Sequence, residues 1–110
     1  VGAAHACGQK VKVIFENCYL GDEHKIRLCE VCGELGADWV KTSTGYGAGG
    51  ATAADVRLMR RHSPGRVQVK AAGGVRTLDA LLEMRALGAT RVGARRTAEM
   101  LDECRRRLAS

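Results

Sequence analysis

The chain has 110 residues, of which 45% are hydrophobic and 27% are charged, a composition typical of a soluble globular protein. This length corresponds to a single domain over residues 1–110 that is large enough to bury a core. No apolar run approaches the ~20 residues of a membrane-spanning helix, and no signal-peptide pattern opens the sequence. These features predict a cytoplasmic protein without a membrane partner.

A formal net charge of +6 and a sequence pI of about 9.4 raise the possibility of a nucleic-acid partner. Much of this charge comes from arginine runs at 60–61, 95–96 and 105–107. The last run lies in a final helical turn, where cations favour the helix dipole. Aromatic residues make up only 4% of the chain, so few side chains are available to stack on bases. We therefore expect no nucleic-acid partner, and a basic nucleic-acid-binding module is the weakest functional alternative.

The cysteines are odd in number and lack the spacing of a disulfide framework, which suits a reducing cytoplasm. Cys29 and Cys32 have the spacing of a redox or zinc pair. However, no second Cys or His pair follows at a useful distance, and both residues lie inside a helical pattern. We interpret them as small, half-buried packing residues and predict no metal.

The first predicted elements alternate between helix and strand. Residues 1–10, VGAAHACGQK, resemble the tail of an alanine-rich helix whose beginning is missing. A β-branched apolar run predicts a strand over Val11–Asn17. Apolar periodicity then predicts a helix over Asp22–Leu35, and Gly36 stands where a C-terminal glycine cap belongs. The second strand is predicted over Ala37–Gly45.

The rest of the chain repeats this alternation. Thr52 and Asp55 resemble a capping box, which predicts the start of the next helix. The remaining predicted features are strands over Arg66–Gly74 and Ala89–Ala94, helix starts at Thr77 and Thr97, and a glycine cap at Gly88. Four strand–helix units at intervals of 23 to 29 residues predict a parallel α/β sheet. Such sheets keep their active sites at the C-terminal ends of the strands.

Two lysines lie within these predicted strands. Side chains alternate across a strand, so Lys41 and Lys70 point away from the face that Val40 and Val69 turn toward the helices. The same inward face carries Lys12, Ile14 and Glu16 of the first strand. Either lysine alone could form a buried ion pair. On adjacent strands, roughly 5 Å apart, two ammonium groups disfavour each other's charge, and an uncharged lysine is a nucleophile towards carbonyls. We therefore predict a catalytic pair.

At these lysines the sequence resembles the deoxyribose-phosphate aldolases, which are class I aldolases with a (β/α)8 TIM-barrel fold. The resemblance rests on VKTSTG at Val40–Gly45 and VKAAGG at Val69–Gly74. Further matching segments are KVIFEN at Lys12–Asn17, GGAT at Gly49–Thr52, VRLMR at Val56–Arg60, GVRT at Gly74–Thr77 and GATRVGA at Gly88–Ala94. It implies that Lys41 forms the Schiff base, while Lys70 favours the free amine of Lys41 and takes part in proton transfer.

The resemblance also implies the reaction, a reversible cleavage of 2-deoxy-D-ribose 5-phosphate into D-glyceraldehyde 3-phosphate and acetaldehyde. A lysine iminium supplies the electron sink for this chemistry, so no metal or organic cofactor is expected. The expected partner is accordingly a small sugar phosphate in deoxyribose phosphate catabolism.

Glycine turns after the strands are the predicted phosphate site, because free N–H groups at helix N-termini attract anions. By resemblance, the contributors are Gly45, Gly73, Gly74 and Gly93. Where the family commonly has a serine in a GAS motif, this chain has Arg95. Its guanidinium could strengthen the grip on the phosphate or crowd it out, and the sequence leaves both alternatives open.

A (β/α)8 barrel needs ~250 residues, and four βα units supply half of it. The resemblance therefore identifies the chain as a C-terminal half-barrel, without the inward aspartate that the family carries on an earlier strand. Either the chain is a fragment of a longer polypeptide, or the half-barrel pairs as a homodimer or with the missing half. The functional alternative is a non-catalytic half-barrel that binds sugar phosphate or self-assembles without turnover.

Overall fold

The computed structural model describes residues 1–109, in which four parallel strands form one sheet in the order β1-β2-β3-β4. In chain order the elements are α1 (Gly2–Ala6), β1 (Lys12–Ile14), a 3-10 turn (Asn17–Tyr19), α2 (Asp22–Leu35), β2 (Trp39–Lys41), α3 (Ala53–His62), β3 (Gln68–Ala72), α4 (Leu78–Ala86), β4 (Ala89–Gly93) and α5 (Thr97–Ala109). The predicted α/β fold with four parallel βα units is confirmed. Ser110 lies outside the described residues.

The core lies between one face of the sheet and the helices. Val40 and Val69, which are paired in the register of β2 and β3, are fully buried, and they meet the equally buried Val56 and Met59 of α3. Alternation along each strand sends these side chains to the helical side. The opposite face of the sheet, called the inner face below, consequently receives the lysines.

Local signals set the helix ends. The N–H of Asp55 donates to Oγ1 of Thr52, and the N–H of Ala80 donates to Oγ1 of Thr77, each at 3.1 Å. These bonds satisfy backbone donors that the first turn of a helix leaves unpaired. Gly36 ends α2 with a φ of 76°, a left-handed conformation that favours glycine. The caps predicted at Thr52, Thr77 and Gly36 are therefore confirmed.

The strands are shorter than the sequence predicts. Instead of continuing to Asn17, β1 ends at Ile14, because Glu16 turns into the left-handed region with a φ of 53° and a 3-10 turn follows. Similarly, β2 ends at Lys41. Beyond it, the N–H of Thr42 still donates to the carbonyl of Lys70, and Thr42 Oγ1 donates to the carbonyl of Ala72.

The contact between α2 and α3 contains features that the sequence interpretation missed or underestimated. Cys29 and Cys32 are buried rather than half-buried, and their burial raises the pKa of both thiols. A charged pair lies in the same helical layer. Lys25 Nζ is 2.7 Å from an Asp55 carboxylate oxygen, and both side chains are about nine-tenths buried. Helix packing, not sequence proximity, joins these two residues.

The inner face and both edges of the sheet are open in the described part of the chain. Ile14 on β1 is 42% exposed although it is apolar. Strands β1 and β4 each pair on one side only within residues 1–109. Gly2–Ala6 is helical, while the prediction that residues 1–10 are the tail of a longer helix stays a prediction.

Candidate active site

The register of the sheet places the two predicted lysines side by side. Lys41 of β2 pairs with Lys70 of β3, and Ile14 of β1 pairs with Lys41 on its other side. Lys70 in turn pairs with Arg91 of β4, next to a register shift in that strand pair. The inner face thus carries a lateral row of three cations, Lys41, Lys70 and Arg91, at the C-terminal half of the strands.

This row has an electrostatic consequence at Lys70. Partial burial lowers the pKa of Lys70, and the positive charges of Lys12 and Lys41 lower it further. Gly93 leaves room for the side chain, since a Cβ atom added there would lie 3.3 Å from Cε of Lys70. Lys70 is therefore a lysine with an enhanced fraction of free amine, packed against a glycine.

A cleft of about 480 Å³ opens at the C-terminal ends of the strands. Its lining residues are Lys41, Thr44, Gly45, Tyr46, Ala72, Gly73, Gly74, Val75, Arg76, Gly93, Ala94, Arg95 and Arg96. All but one of the residues predicted for the site are among them. The exception is Lys70, which lies behind Gly93 rather than on the cleft wall. The cleft contains the predicted phosphate loops with Lys41 at the strand end.

Glycines determine how the loops around the cleft pack. Gly73 and Gly74 both have positive φ angles, 89° and 75°, so a side chain at either position would strain the backbone. A Cβ atom on Gly50 would overlap the carbonyl of Gly73, and the N–H of Ala51 donates to that carbonyl at 2.9 Å. The loop after β2 is therefore docked directly on the loop after β3, which fixes two walls of the cleft.

Sequence reasoning missed several residues at this site. Tyr46 and Arg76 line the cleft, and Arg95 extends over the Tyr46 ring, with 5.9 Å between its Cζ atom and the ring centre. Strand alternation predicts Glu16 on the inner face and assigns it no role. Its carboxylate accepts hydrogen bonds from the N–H and the hydroxyl of Thr44. The left-handed backbone at Glu16 could not be read from the sequence, and strand patterns carry no signal for contacts between loops.

Within residues 1–109, no three His, Cys, Asp or Glu side chains are grouped closely enough to bind a metal ion. The same residues contain no helix with the length and hydrophobicity needed to cross a membrane.

The functional groups of the site are amines, guanidinium groups, hydroxyls and backbone N–H groups. This set can form an imine with an aldehyde and bind an anion.

Comparison with known proteins is consistent with this chemistry. A deoxyribose-phosphate aldolase from Rhodopirellula baltica is 75% identical over 104 residues, which are 94% of this chain and 43% of that protein. This chain is similar to part of a deoxyribose-phosphate aldolase. The resemblance predicted from the two lysine motifs is confirmed. No family model matches the chain.

Solved structures agree with the sequence comparison. An aldolase named QR15 superposes with a TM-score of 0.84 at 40% identity, over 89% of this chain and 44% of that one. A deoxyribose-phosphate aldolase from Aeropyrum pernix, described as tetrameric, gives a TM-score of 0.83 at 30% identity, over 94% of this chain and 45% of that one. The chain thus spans less than half the length of these aldolases.

Proposed function

We propose that this chain is the lysine-bearing part of a class I deoxyribose-phosphate aldolase, a lyase that cleaves 2-deoxy-D-ribose 5-phosphate into D-glyceraldehyde 3-phosphate and acetaldehyde. The observation that carries the proposal is the register of β2 and β3, which sets Lys41 beside Lys70 at a cleft flanked by glycine turns. The similarity to deoxyribose-phosphate aldolases supports the choice of substrate.

In the first step, the unprotonated amine of Lys41 adds to the C1 aldehyde of the open-chain sugar. Loss of water leaves a protonated imine, which acts as an electron sink. A base then removes the proton of the C3 hydroxyl, and C3 becomes the aldehyde of D-glyceraldehyde 3-phosphate. The C2–C3 bond breaks, and its electron pair enters the enamine that remains on Lys41.

In the second step, the enamine takes up a proton at C2 and becomes the iminium of acetaldehyde. Water hydrolyses this iminium, which releases acetaldehyde and restores the amine of Lys41. We assign Lys70 to the proton transfers, because the register places it beside Lys41 and its lowered pKa increases the fraction of free amine that can accept a proton. The chemistry proceeds through the lysine iminium, with no step assigned to a metal or organic cofactor.

The phosphate of the sugar is assigned to the turns at the mouth of the cleft. Backbone N–H groups around Gly45, Gly73, Gly74 and Gly93 can donate to phosphate oxygens, and Arg95 adds a positive charge on the same wall. Lys41 lines the same cleft, so the C1 aldehyde and the 5-phosphate of one small sugar can be held together.

A complementary chain is also part of the proposal. The open edges of β1 and β4 and the exposed Ile14 on the inner face favour association with the missing half of a barrel or with a second copy of this chain. Either arrangement would close the sheet. The alternative function, sugar-phosphate binding without turnover, is favoured by one observation: no Asp or Glu lines the cleft within residues 1–109.

Imine trapping tests the proposal. Incubation of the 110-residue chain with acetaldehyde and borohydride, followed by peptide mass mapping, is expected to add one reduced two-carbon group at Lys41. The Lys41→Arg variant is expected to lose this adduct while keeping a cation in the strand. Lys25 serves as an internal control, because its buried ion pair should leave it unlabelled. Labelling of Lys70 alone, or equal labelling of every lysine, would exclude Lys41 as the Schiff-base residue.

A further inference from the structure

Three consecutive strand–helix loops each place one large side chain at the cleft. Tyr46 follows β2, Arg76 follows β3 and Arg95 follows β4. All three are exposed. These residues lie at the proposed phosphate end of the cleft, so the inference below rests on the proposed function.

The charge of this wall is unbalanced. Arg76, Arg95 and Arg96 line the cleft, whereas no acidic side chain of residues 1–109 does. Arg96 lies 3.8 Å from Glu99. Neither Arg76 nor Arg95 forms a salt bridge with any of the described residues. Two guanidinium groups without a carboxylate partner beside free N–H groups are well suited to bind a doubly charged anion.

Tyr46 is held in place by a short chain of hydrogen bonds. Its N–H donates to Oγ1 of Thr44 at 3.1 Å, and the Thr44 hydroxyl donates to Glu16. Tyr46 is 86% exposed, and its ring lies under the guanidinium of Arg95, with 5.9 Å between the ring centre and Cζ. A cation over an aromatic face at this separation is attracted to the ring. The loop after β2 therefore restrains an arginine that belongs to the loop after β4.

We propose that Arg76 and Arg95 make this cleft selective for phosphate dianions, and that Tyr46 is a positioning residue that keeps Arg95 over the cleft. Glycine N–H groups present only partial positive charges to an anion, whereas a guanidinium carries a full one. Guanidinium groups favour the dianion, because each added negative charge strengthens both contacts. The arginine at position 95 thus acts as a phosphate ligand and not as an obstacle.

The test is the binding of inorganic phosphate to the 110-residue chain, measured by calorimetry at low salt. Affinity is expected to rise as pH increases through the second ionisation of phosphate, and to fall with added salt. Arg95→Ser should weaken binding about tenfold. Tyr46→Ala should weaken it about two- to fivefold, whereas Tyr46→Phe, which keeps the ring, should bind like the parent. Circular dichroism of each variant verifies that the fold is unchanged.

Three results would overturn the inference: phosphate affinity that does not depend on pH between 5 and 8, Arg95→Ser binding as tightly as the parent, or Tyr46→Phe losing as much affinity as Tyr46→Ala. Imine trapping with acetaldehyde, which carries no phosphate, separates this inference from the proposed function. An adduct at Lys41 together with unaltered phosphate binding in Arg95→Ser refutes only the arginine selectivity. Absence of the adduct refutes the aldolase assignment, whatever the phosphate affinity.

Discussion

Lysines occur in two contrasting environments in this molecule. Lys25, between α2 and α3, is buried but has Asp55 at 2.7 Å and Asp22 at 3.3 Å. Burial opposes its charge, yet the two carboxylates raise its pKa above the ordinary value. Lys70, on the inner face of the sheet, has cations for neighbours, and both burial and those cations lower its pKa. The pKa values of the two lysines therefore shift in opposite directions because of the sign of the neighbouring charges, and not because of a difference in burial.

The difference indicates which lysines are structural and which are available for chemistry. A paired lysine holds its proton firmly and links two helices, so it is a poor nucleophile. Lys70, which has cations instead of carboxylates beside it, keeps a larger free-amine fraction, and this suits proton transfer at an imine-forming site. The sheet register creates this second environment, since it pairs Lys41 with Lys70 and Lys70 with Arg91.

Breaking the structural pair should have the largest effect on stability. Asp55→Leu removes the closer partner of Lys25 and leaves a buried ammonium with only Asp22 nearby. We expect a loss of about 2–4 kcal/mol in the free energy of unfolding, measured by urea titration at pH 7. The N–H of residue 55 would still donate to Thr52, so the helix cap is retained.

The double variant Lys25→Met/Asp55→Leu is the matched control for this prediction. It removes both charges and keeps a similar side-chain volume, so most of the lost stability should return. If the double variant is no more stable than Asp55→Leu, the lost free energy of unfolding comes from helix packing or from the missing negative charge at the N-terminus of α3. In that case the unpaired ammonium of Lys25 is not the cause.

Removing one cation from the inner face should affect chemistry more than folding. In Lys70→Met, the proposed proton-transfer partner beside Lys41 is lost. Imine formation with acetaldehyde at pH 7 is expected to slow about three- to tenfold. Trapping rates from pH 6 to 10 measure this, with Lys10→Met as a control at a lysine outside the strands. Identical rates for Lys70→Met and the parent at every pH would mean that Lys70 takes no part in the chemistry at Lys41.

Local patterns made much of the fold and part of the site predictable. Capping by Thr52 and Thr77 depends on residues three positions away, and strand alternation placed Lys41 and Lys70 on one face. By contrast, the Lys25–Asp55 pair joins residues on different helices, and the Tyr46–Arg95 contact joins loops after different strands. Such contacts depend on how elements pack, and no short-range periodicity encodes them. The early end of β1 likewise coincides with the left-handed backbone of Glu16. A left-handed turn is usually predicted from a glycine, and position 16 has none.

The smallest expected effect is on stability at the inner face. The pKa of Lys70 in the folded chain is below its ordinary value of 10.5, so the folded state disfavours the charged form. Below the lowered pKa both the folded and the unfolded states carry the proton, and this penalty is fully present. Between the lowered pKa and 10.5 the folded state releases its proton first, so stability rises with pH, and above 10.5 the penalty is gone.

Lys70→Met should therefore be more stable than the parent at pH 7, by a few tenths of a kcal/mol, because Lys70 is largely screened by solvent. This advantage should shrink as pH approaches 10.5, apart from a constant offset due to the methionine side chain. Urea titrations of both proteins at pH 7, 9 and 10.5 give the difference directly. Lys12→Met, which removes a cation that also lowers the pKa of Lys70, should show the same trend with a smaller amplitude. A difference in the free energy of unfolding that stays constant with pH would mean that repulsion on the inner face does not affect stability. The two lysine environments would then differ in reactivity alone.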